Sequence, residues 1–394
     1  MPRARANERT IQPDLVLRIC KSTVGEVHRV ASTLEVCSRH LGLEVRDHDF
    51  APVSIEGKLD ELVEGHFYDL QELELELATE EQRLLAQLRL GALGVRLGEL
   101  LLPGSLRELL WCLRHNRPAP SLLLLSNETW IPWELIRLRE PDAYLAPAIP
   151  VDLSEASVGK EEHERRYLVE IFAFTRWLSD RQRHWELPLR RLGLVVPDSR
   201  LPSASAERDS LKKLFPGAEE LTPRTLPMLK ALESAAYDAL HFTGCGITDS
   251  RDPNRGGVSL DKEDVLRPGD LSDAARHLGR RHPWIFFNAC HSARGLFAPS
   301  GLGGFADAFL RAGAGAFLGA YWQVPDNQAK DFALAVYEGF AEADLPLGEA
   351  VRQARHRLSQ QHPGDPSFLA YAVYGHPLAL RDEGRTLQDP EGAA

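Results

Sequence analysis

The sequence predicts an α/β fold with a largely parallel sheet that is covered by helices. From residue 192 onward, short apolar strands alternate with helical segments, which is the pattern of such sheets. Two of these strands, Ala239–Thr243 and Trp284–Ala289, run into cysteines, Cys245 and Cys290, that are followed by polar or turn-forming residues. Folds of this class place their chemistry at the carboxyl ends of parallel strands. The alternation and the two strand-end cysteines therefore predict a site at one edge of the sheet.

A small β-rich region is predicted at the N-terminus, over residues 1–78. Its first residues are polar, and three short β-like stretches follow them, at Leu15–Cys20, Glu26–Glu35 and Leu43–Arg46. The main region is predicted to span residues 79–382. The polar residues 383–394 are expected to form a disordered tail.

The first part of the main region, residues 79–170, is predicted to begin with a helix. Thr79-Glu80-Glu81-Gln82 is a capping box that opens an amphipathic helix, which Pro103-Gly104 ends. Glycine inside a helix costs about 1 kcal/mol relative to alanine. Since this helix contains Gly91, Gly94 and Gly98, we expect it to pack closely against another backbone.

The rest of this first part is predicted to contain a second helix, a buried strand and a loop. Leu106–Leu113 is a short helix, and the strand Ser121–Ser126 leads into a helix with Pro132 in its first turn, where the missing N–H is harmless. Residues 154–166 are charged and aperiodic, which indicates a loop or linker.

The second part, residues 190–382, carries the regular alternation and is the core of the predicted fold. Its predicted strands are Leu192–Pro197, Ala239–Thr243, Trp284–Ala289, Ala316–Tyr321 and Phe368–Tyr374. Its predicted helices are Ala204–Phe215, Met228–Ala236, Gly304–Arg311, Asn327–Ala343 and Leu347–Gln361. We find no internal repeat of 20–50 residues, the signature of a helical-repeat array.

Composition favours a globular protein of the reducing cytoplasm. The 394 residues are 43% hydrophobic and 26% charged, which is ordinary for a globular chain. We see no secretory signal and no apolar run near the roughly 20 residues that a membrane span needs. The five cysteines are irregularly spaced and resemble neither a disulfide framework nor a metal clip. We therefore predict no metal, no cofactor and no membrane partner.

The charge of the chain argues against direct nucleic-acid binding. The formal net charge is −11, whereas phosphate binding needs clustered Lys and Arg. The basic run Arg181–Arg191 is interrupted by Glu186 and Pro188. We interpret it as a solvated surface segment.

The two cysteine motifs resemble those of the CHAT family of caspase-like cysteine peptidases, which are relatives of separase. The family signatures are roughly His-Phe-x-Gly-His-Gly and Asn-Ala-Cys-x-Ser, and here His241–Gly246 reads His-Phe-Thr-Gly-Cys-Gly and Asn288–Ser292 reads Asn-Ala-Cys-His-Ser. The resemblance covers about residues 80–382. It also includes the segments Pro132–Leu135, Gly301–Ala314, Gly319–Asp326 and Phe368–Pro377. It implies a caspase-like fold.

The resemblance assigns roles to three residues of the site. Cys290 matches the nucleophile, whose thiolate attacks the scissile carbonyl. Cys245 occupies the position of the catalytic histidine of the family. Gly246 matches a residue whose backbone N–H lines the oxyanion hole. The alternatives are a buried, packed thiol at Cys290 and plain turn chemistry at Gly246.

Cys245 is a departure from the family pattern with a chemical consequence. A thiol with a pKa near 8.5 does not replace an imidazole near 6.5 as a proton shuttle at neutral pH. General acid–base assistance is typically worth about 10²–10⁴-fold, so this sequence is expected to be weakly active or inactive. Natural degeneration, an engineered inactivating substitution, and a site repurposed for redox or metal chemistry are three possible origins.

No other histidine is an obvious substitute. His241 lies four residues before Cys245, roughly 13 Å away at about 3.3 Å per residue, so core packing or a hydrogen bond is its expected role. His291 follows Cys290 directly, and its side chain is expected to point elsewhere. His362 and His376 lie in predicted loops, and no feature distinguishes them from surface histidines.

Asp326 is the candidate substrate-binding residue. Its position in the loop after the strand that follows the nucleophile resembles that of loops shaping the pocket for the residue before the cut in caspase-like peptidases. An acid there would favour Lys or Arg, although an N-cap of helix Asn327–Ala343 is the alternative. Asp249 and Asp252 are weaker candidates of the same kind.

The resemblance implies a cysteine endopeptidase that acts on a protein or peptide substrate in bacterial defence or regulated proteolysis. Because we see no sensor repeat, activation would require a protein partner, a ligand or the N-terminal β region. The alternative, of another class, is a non-catalytic pseudopeptidase that uses the peptide groove to hold a partner.

Overall fold

The computed structural model describes residues 11–24, 27–55, 78–126, 131–141, 166–197, 202–244, 246–247, 257–271, 275–289 and 301–382. Within these ranges the strands are β1 (Leu15–Val24), β2 (Val27–Val36), β3 (Asp47–Ile55), β4 (Ser121–Leu125), β5 (Ala173–Trp177), β6 (Glu186–Pro188), β7 (Leu192–Val195), β8 (Glu219–Glu220), β9 (Ala239–Gly244), β10 (Gly246–Ile247), β11 (Gly257–Ser259), β12 (Val265–Leu266), β13 (Trp284–Ala289), β14 (Ala316–Ala320), β15 (Tyr371–Tyr374) and β16 (Leu380–Asp382).

The α-helices in the same ranges are α1 (Glu80–Leu101), α2 (Gly104–Leu113), α3 (Leu168–Ile171), α4 (Pro202–Leu214), α5 (Thr225–Glu233), α6 (Gly301–Arg311), α7 (Asp326–Tyr337) and α8 (Leu347–Gln361). A π-helical turn, Glu338–Glu342, continues α7. Short 3₁₀ turns lie at Arg39–Leu41, Trp133–Leu135, Asp261–Glu263, Pro268–Asp270, Leu278–Arg280 and Pro366–Leu369. None of the helices in the described part of the chain is long and apolar enough to cross a lipid bilayer.

Eleven of the described strands form one mixed sheet, in the order β3-β2-β1-β4-β5-β15-β14-β13-β9-β7-β8. Strands β8, β7, β9, β13 and β14 run parallel to one another. Strand β15 is antiparallel to β14 but parallel to β5, and β5, β4 and β1 run parallel. Apart from β2 and β3, which are antiparallel to their neighbours, the sheet therefore has two parallel halves of opposite direction. The predicted α/β fold with a largely parallel, helix-covered sheet is confirmed.

The N-terminal region is β-rich, as predicted, and its strands extend the main sheet. β1 pairs in parallel with β4, from Leu15 opposite Leu122 to Arg18 opposite Leu125, while β2 and β3 add antiparallel neighbours. The predicted third stretch, Leu43–Arg46, was placed too early, because Gly42 turns the chain with φ of 69° and β3 begins at Asp47.

Two other predicted elements differ from the structure. The helix expected after β4 is a single 3₁₀ turn, since Pro132 has φ −82° and ψ 72°, outside the helical region. The strand expected at Phe368–Tyr374 begins only at Tyr371, because the Asp365 carboxylate accepts a hydrogen bond from Ser367 N and caps a 3₁₀ turn over Pro366–Leu369.

The glycines of α1 explain how this helix approaches the segment after β4. A Cβ on Gly94 would lie 2.1 Å from the carbonyl oxygen of Leu135, and Arg137 N donates to Gly94 O at 3.1 Å. The expected close packing of this helix against another backbone is confirmed. It brings α1 against the Trp133–Leu135 turn.

Candidate functional site

The two strands that carry the cysteine motifs are hydrogen-bonded neighbours. β9 and β13 are parallel and in register from Ala239 opposite Trp284 to Gly244 opposite Ala289. Gly244 and Ala289 directly precede Cys245 and Cys290 in the chain. Both cysteines lie outside the described residues, as do His291, Asp249 and Asp252, so their predicted roles stay predictions. The described strands bring the residues before them to one edge of the sheet.

Gly246 begins a second, smaller sheet immediately after position 245. It pairs with Val258 of β11, and β11 pairs with β12, in a three-stranded antiparallel arrangement. Gly257 permits this pairing, because a Cβ there would lie 2.3 Å from the carbonyl oxygen of Leu266. The backbone after position 245 is therefore held by strand pairing.

A buried carboxylate lies beneath the ends of β9 and β13. Glu207 of α4 is 2% exposed. It accepts hydrogen bonds from Thr243 Oγ1 at 2.8 Å and from Asn288 Nδ2 at 2.6 Å. His241 Nε2 lies 2.9 Å from the same carboxylate. Sequence reasoning did not identify Glu207, because a single acid in a polar helix carries no signal of burial.

His241 is enclosed by this cluster. It is fully buried, and while Nε2 faces Glu207, Nδ1 lies 3.3 Å from the hydroxyl of Tyr337. Burial, with Glu207 as a second cause, raises the pKa of Tyr337 well above its usual range, so the tyrosine keeps its proton. The expected role of His241 in the core is confirmed. Because the ring is fully buried and both nitrogens face buried side chains, neither nitrogen is accessible to a substrate.

Asn288 ties the end of β13 to its surroundings. Besides its bond to Glu207, its Nδ2 donates to the carbonyl of Ala329 on α7 at 3.0 Å, and its Oδ1 accepts from the Tyr371 hydroxyl on β15 at 2.8 Å. Asn288 is 1% exposed. This asparagine of the nucleophile motif thus joins β13 to α4, α7 and β15.

Asp326 is buried at the start of α7 and contacts another helix. Its side chain is 7% exposed, and Oδ2 accepts a hydrogen bond from Ser203 N at 2.6 Å. Ser203 lies in the first turn of α4, whose N–H groups have no partner within the helix. The N-cap of α7 is Pro325, so Asp326 does not cap its own helix. Its carboxylate instead accepts a hydrogen bond from the first turn of α4. A role in substrate binding is not tested by this contact.

A second buried cluster joins the segment after β4 to the loop after β14. Arg176 of β5 donates to Ile131 O at 2.9 Å and to the Tyr321 hydroxyl at 2.7 Å, and Nη1 lies 3.4 Å from Glu134 Oε2. The Tyr321 hydroxyl donates to the same carboxylate oxygen at 2.6 Å. Burial, and then Glu134, raises the pKa of Tyr321 well above its usual range. The tyrosine therefore stays a donor.

The described cysteines and acids do not form a metal site. Among residues 11–382, apart from the gaps given above, there is no group of three or more His, Cys, Asp or Glu placed to hold a metal ion. Cys20, Cys37 and Cys112 are free thiols. Burial, followed by the charge of Glu35, raises the pKa of Cys37 to about 12. Cys37 is thus a poor nucleophile at neutral pH.

Comparison with known proteins identifies one family. The CHAT-domain model matches residues 92–379, and no curated protein sequence matches the chain. Two crystal structures of the Saccharomyces cerevisiae separase–securin complex, at 2.6 and 3.0 Å resolution, are similar to this chain with TM-scores of 0.46 and 0.45 and 12% sequence identity. Each alignment covers 92% of this chain and 30% of the matched chain, so the chain spans about a third of the length of these structures.

Proposed function

Because this chain belongs to the CHAT-domain family, we propose that it is a caspase-like cysteine endopeptidase scaffold in which Cys290 is the nucleophile and Cys245 replaces the catalytic histidine. The observation that supports this most is the register of β9 and β13, in which Gly244 and Ala289 are opposite each other. The next residue of each strand is then one member of the proposed pair. Parallel neighbours are about 4.8 Å apart, which suits two groups acting on one bond.

The proposed chemistry is acyl transfer from a peptide to Cys290. The Cys290 thiolate attacks the scissile carbonyl, and the oxyanion is stabilised by backbone N–H groups that include that of Gly246. The leaving amine must then gain a proton. Cys245 is the group at that position, and its thiol is a weaker proton shuttle than an imidazole near neutral pH. The chain is therefore proposed to be weakly active or inactive as it stands.

Asp326 is proposed to favour Lys or Arg before the cut. Its Oδ2 is engaged by Ser203 N, which leaves Oδ1 as the oxygen that could meet a basic side chain. A carboxylate that is partly desolvated pairs strongly with such a cation. The same contact fixes the carboxylate against α4, so its position would not depend on substrate.

The biological setting is proposed from family membership alone. Regulated proteolysis or bacterial defence, a protein or peptide substrate, and an activating protein or ligand are consistent with a CHAT domain. A cytoplasmic location stays a prediction from cysteine usage. The second candidate function is a non-catalytic pseudopeptidase that binds a partner in its groove, and the cysteine at position 245 is the observation that favours it.

The decisive experiment restores the imidazole. We expect Cys245→His to raise cleavage of a mixed peptide library by about 100-fold or more, with basic residues favoured before the cut, once any activator is supplied. Adding Cys290→Ala should abolish that activity. Cys20→His is the matched control, since Cys20 is an exposed cysteine on β1, and it should leave cleavage at the original level. Equal, negligible turnover by all variants with activator present would favour the pseudopeptidase.

A further inference from the structure

One carboxylate on α4 reaches both strands of the proposed site. Thr243 and Asn288 are opposite each other in the parallel register of β9 and β13. Thr243 donates to Glu207 Oε2 at 2.8 Å, while Asn288 donates to Glu207 Oε1 at 2.6 Å. The two oxygens of a single rigid group therefore bridge the two strands.

This bridge lies next to the positions that matter for the proposed chemistry. Thr243 and Asn288 each precede one of the two cysteines by two residues. Because side chains alternate along a strand, residues two apart share a face. Thr243 and Asn288 are thus the last described residues on the α4-facing side of their strands before positions 245 and 290.

The bridge is rigid because its members are buried and their polar groups are satisfied by one another. Glu207, Thr243 and Asn288 are at most 3% exposed. A buried carboxylate requires hydrogen-bond donors, and leaving a buried donor or acceptor without a partner is costly. Sliding one strand against the other would break at least one of these bonds. The further bonds of Asn288 to Ala329 and Tyr371 resist the same movement.

We propose that Glu207 is a positioning residue that sets the separation of positions 245 and 290. This inference rests on the proposed function, because it assumes that these two positions act on one bond. Glu207 does not contact substrate in this account; it acts through Thr243 and Asn288. Catalysis is sensitive to such placement, since an error of about 1 Å can cost roughly 100-fold in rate.

Four variants separate positioning from general stability. Glu207→Gln keeps the shape and an acceptor oxygen, and Thr243 can accept from the new amide, so it is the conservative variant. Glu207→Met has a similar length but offers no comparable acceptor. Thr243→Val is isosteric and removes one arm of the bridge. Asp209→Asn is the control, because Asp209 lies on the same helix with a side chain that is 58% exposed.

The first measurement does not depend on peptidase activity. In a full-length chain with Cys20, Cys37 and Cys112 replaced by alanine, dibromobimane becomes fluorescent only when it alkylates both Cys245 and Cys290. We expect Glu207→Met and Thr243→Val to slow this cross-linking by about tenfold or more relative to the parent. Glu207→Gln and Asp209→Asn should stay within about threefold of the parent. Thermal unfolding of each variant checks that it is folded.

The second measurement uses the Cys245→His chain and a peptide substrate. Loss of positioning should lower kcat by about 100-fold in Glu207→Met while KM changes by less than about threefold. Glu207→Gln should restore most of kcat, which a role in bulk stability alone would not predict. Should Glu207→Met fail to fold, Thr243→Val gives the same comparison.

The outcomes distinguish this inference from the proposed function. Cross-linking at equal rates in all four variants would overturn the positioning role and leave the paired site intact. A parent chain that shows no cross-link would overturn both, because positions 245 and 290 would then not be adjacent. Slow cross-linking in Glu207→Met and Thr243→Val with an inactive Cys245→His chain would support positioning and count against the peptidase.

Discussion

His376 illustrates at the residue scale how burial determines charge. It follows β15 and is only 5% exposed, so the expectation of a surface histidine was wrong. Its Nδ1 accepts a hydrogen bond from Leu378 N at 3.2 Å. Burial lowers its pKa to about 4, with the positive charge of Arg183 acting in the same direction and a backbone bond to Ile11 opposing them. The ring is therefore uncharged at neutral pH, and its Nδ1 is free of a proton.

A pH-dependent loss of stability follows from that lowered pKa. The unfolded histidine titrates near 6.5, so between pH 6.5 and about 4 the unfolded state binds more protons than the folded state. The contribution of His376 to the free energy of unfolding is therefore complete above pH 6.5. It falls by at most about 3 kcal/mol as the pH drops toward 4. Urea unfolding at several pH values should show that acidification lowers the free energy of unfolding less in His376→Asn than in the parent. The asparagine keeps a hydrogen-bond acceptor but does not titrate.

His362→Asn is the control for this measurement, because His362 is a partly exposed histidine at the end of α8. It should leave the pH dependence of unfolding close to that of the parent. If the free energy of unfolding depends on pH in the same way in His376→Asn and in the parent, another group causes the acid sensitivity.

At the same scale, the sequence predicts roles for residues that occur in short motifs and gives no sign of those that only the fold brings together. Cys245 and Cys290 stand out because each ends an apolar strand and sits in a motif of the family. Glu207 is 81 residues from Asn288 and 34 from His241 in the chain. Such a cluster has no local pattern, because its members meet only when α4 packs on the sheet.

Helix α1 shows at the element scale how backbone contact overrides helix propensity. Gly94 lies where a Cβ would be 2.1 Å from the carbonyl oxygen of Leu135, a distance that no side chain tolerates without movement. The nearest atom to a Cβ on Gly98 would be Ile136 Cγ2 at 3.5 Å, which is ordinary contact. The structure therefore gives a steric reason for glycine at position 94 and none at position 98.

These two positions give opposite predictions for alanine. Gly94→Ala should lower the free energy of unfolding by about 2 kcal/mol, because overpacking and displacement of the Trp133–Leu135 turn outweigh the gain in propensity. Gly98→Ala should raise it by about 0.5–1 kcal/mol, since only propensity changes. Chemical denaturation of both variants measures the difference. Equal effects of the same sign would show that the close approach of Gly94 to the Leu135 carbonyl does not determine the effect of alanine at position 94.

The type of an element was predictable where burial produces a recognisable pattern of apolar residues in the sequence. It was not predictable where a few tertiary contacts determine the local conformation. β13 begins with the apolar run Trp284–Phe287, β14 is apolar throughout, and in β9 apolar residues alternate with His241 and Thr243, which is why these strands were predicted. The single turn at Trp133–Leu135 depends on Pro132 and on packing against α1. The reversal of direction between β14 and β15 was not predicted, because the periodicity of a strand contains no information on the direction of its neighbour.

At the scale of the whole molecule, a buried cluster adds a side-chain link between the two halves of the sheet, beside the pairing of β14 with β15. Arg176 lies on β5, Glu134 follows β4, and Tyr321 follows β14, so the cluster spans the reversal between β14 and β15. Arg176 is 1% exposed and also lies 4.7 Å from the ring centroid of Tyr374. Tyr321 belongs to the segment Gly319–Asp326, so the cluster also supports the chain that leads to the candidate substrate residue.

The cluster predicts a specific pattern of stability changes. Arg176→Met leaves Glu134 buried without its cation and should cost about 3–5 kcal/mol. The double variant Arg176→Met/Glu134→Leu removes both charges and should be less destabilised than Arg176→Met alone. Tyr321→Phe, which removes only the hydroxyl, should cost about 1–3 kcal/mol. Urea unfolding of the parent, Arg176→Met, Glu134→Leu and the double variant gives the coupling energy between Arg176 and Glu134, and additive effects would show that the two residues do not stabilise each other.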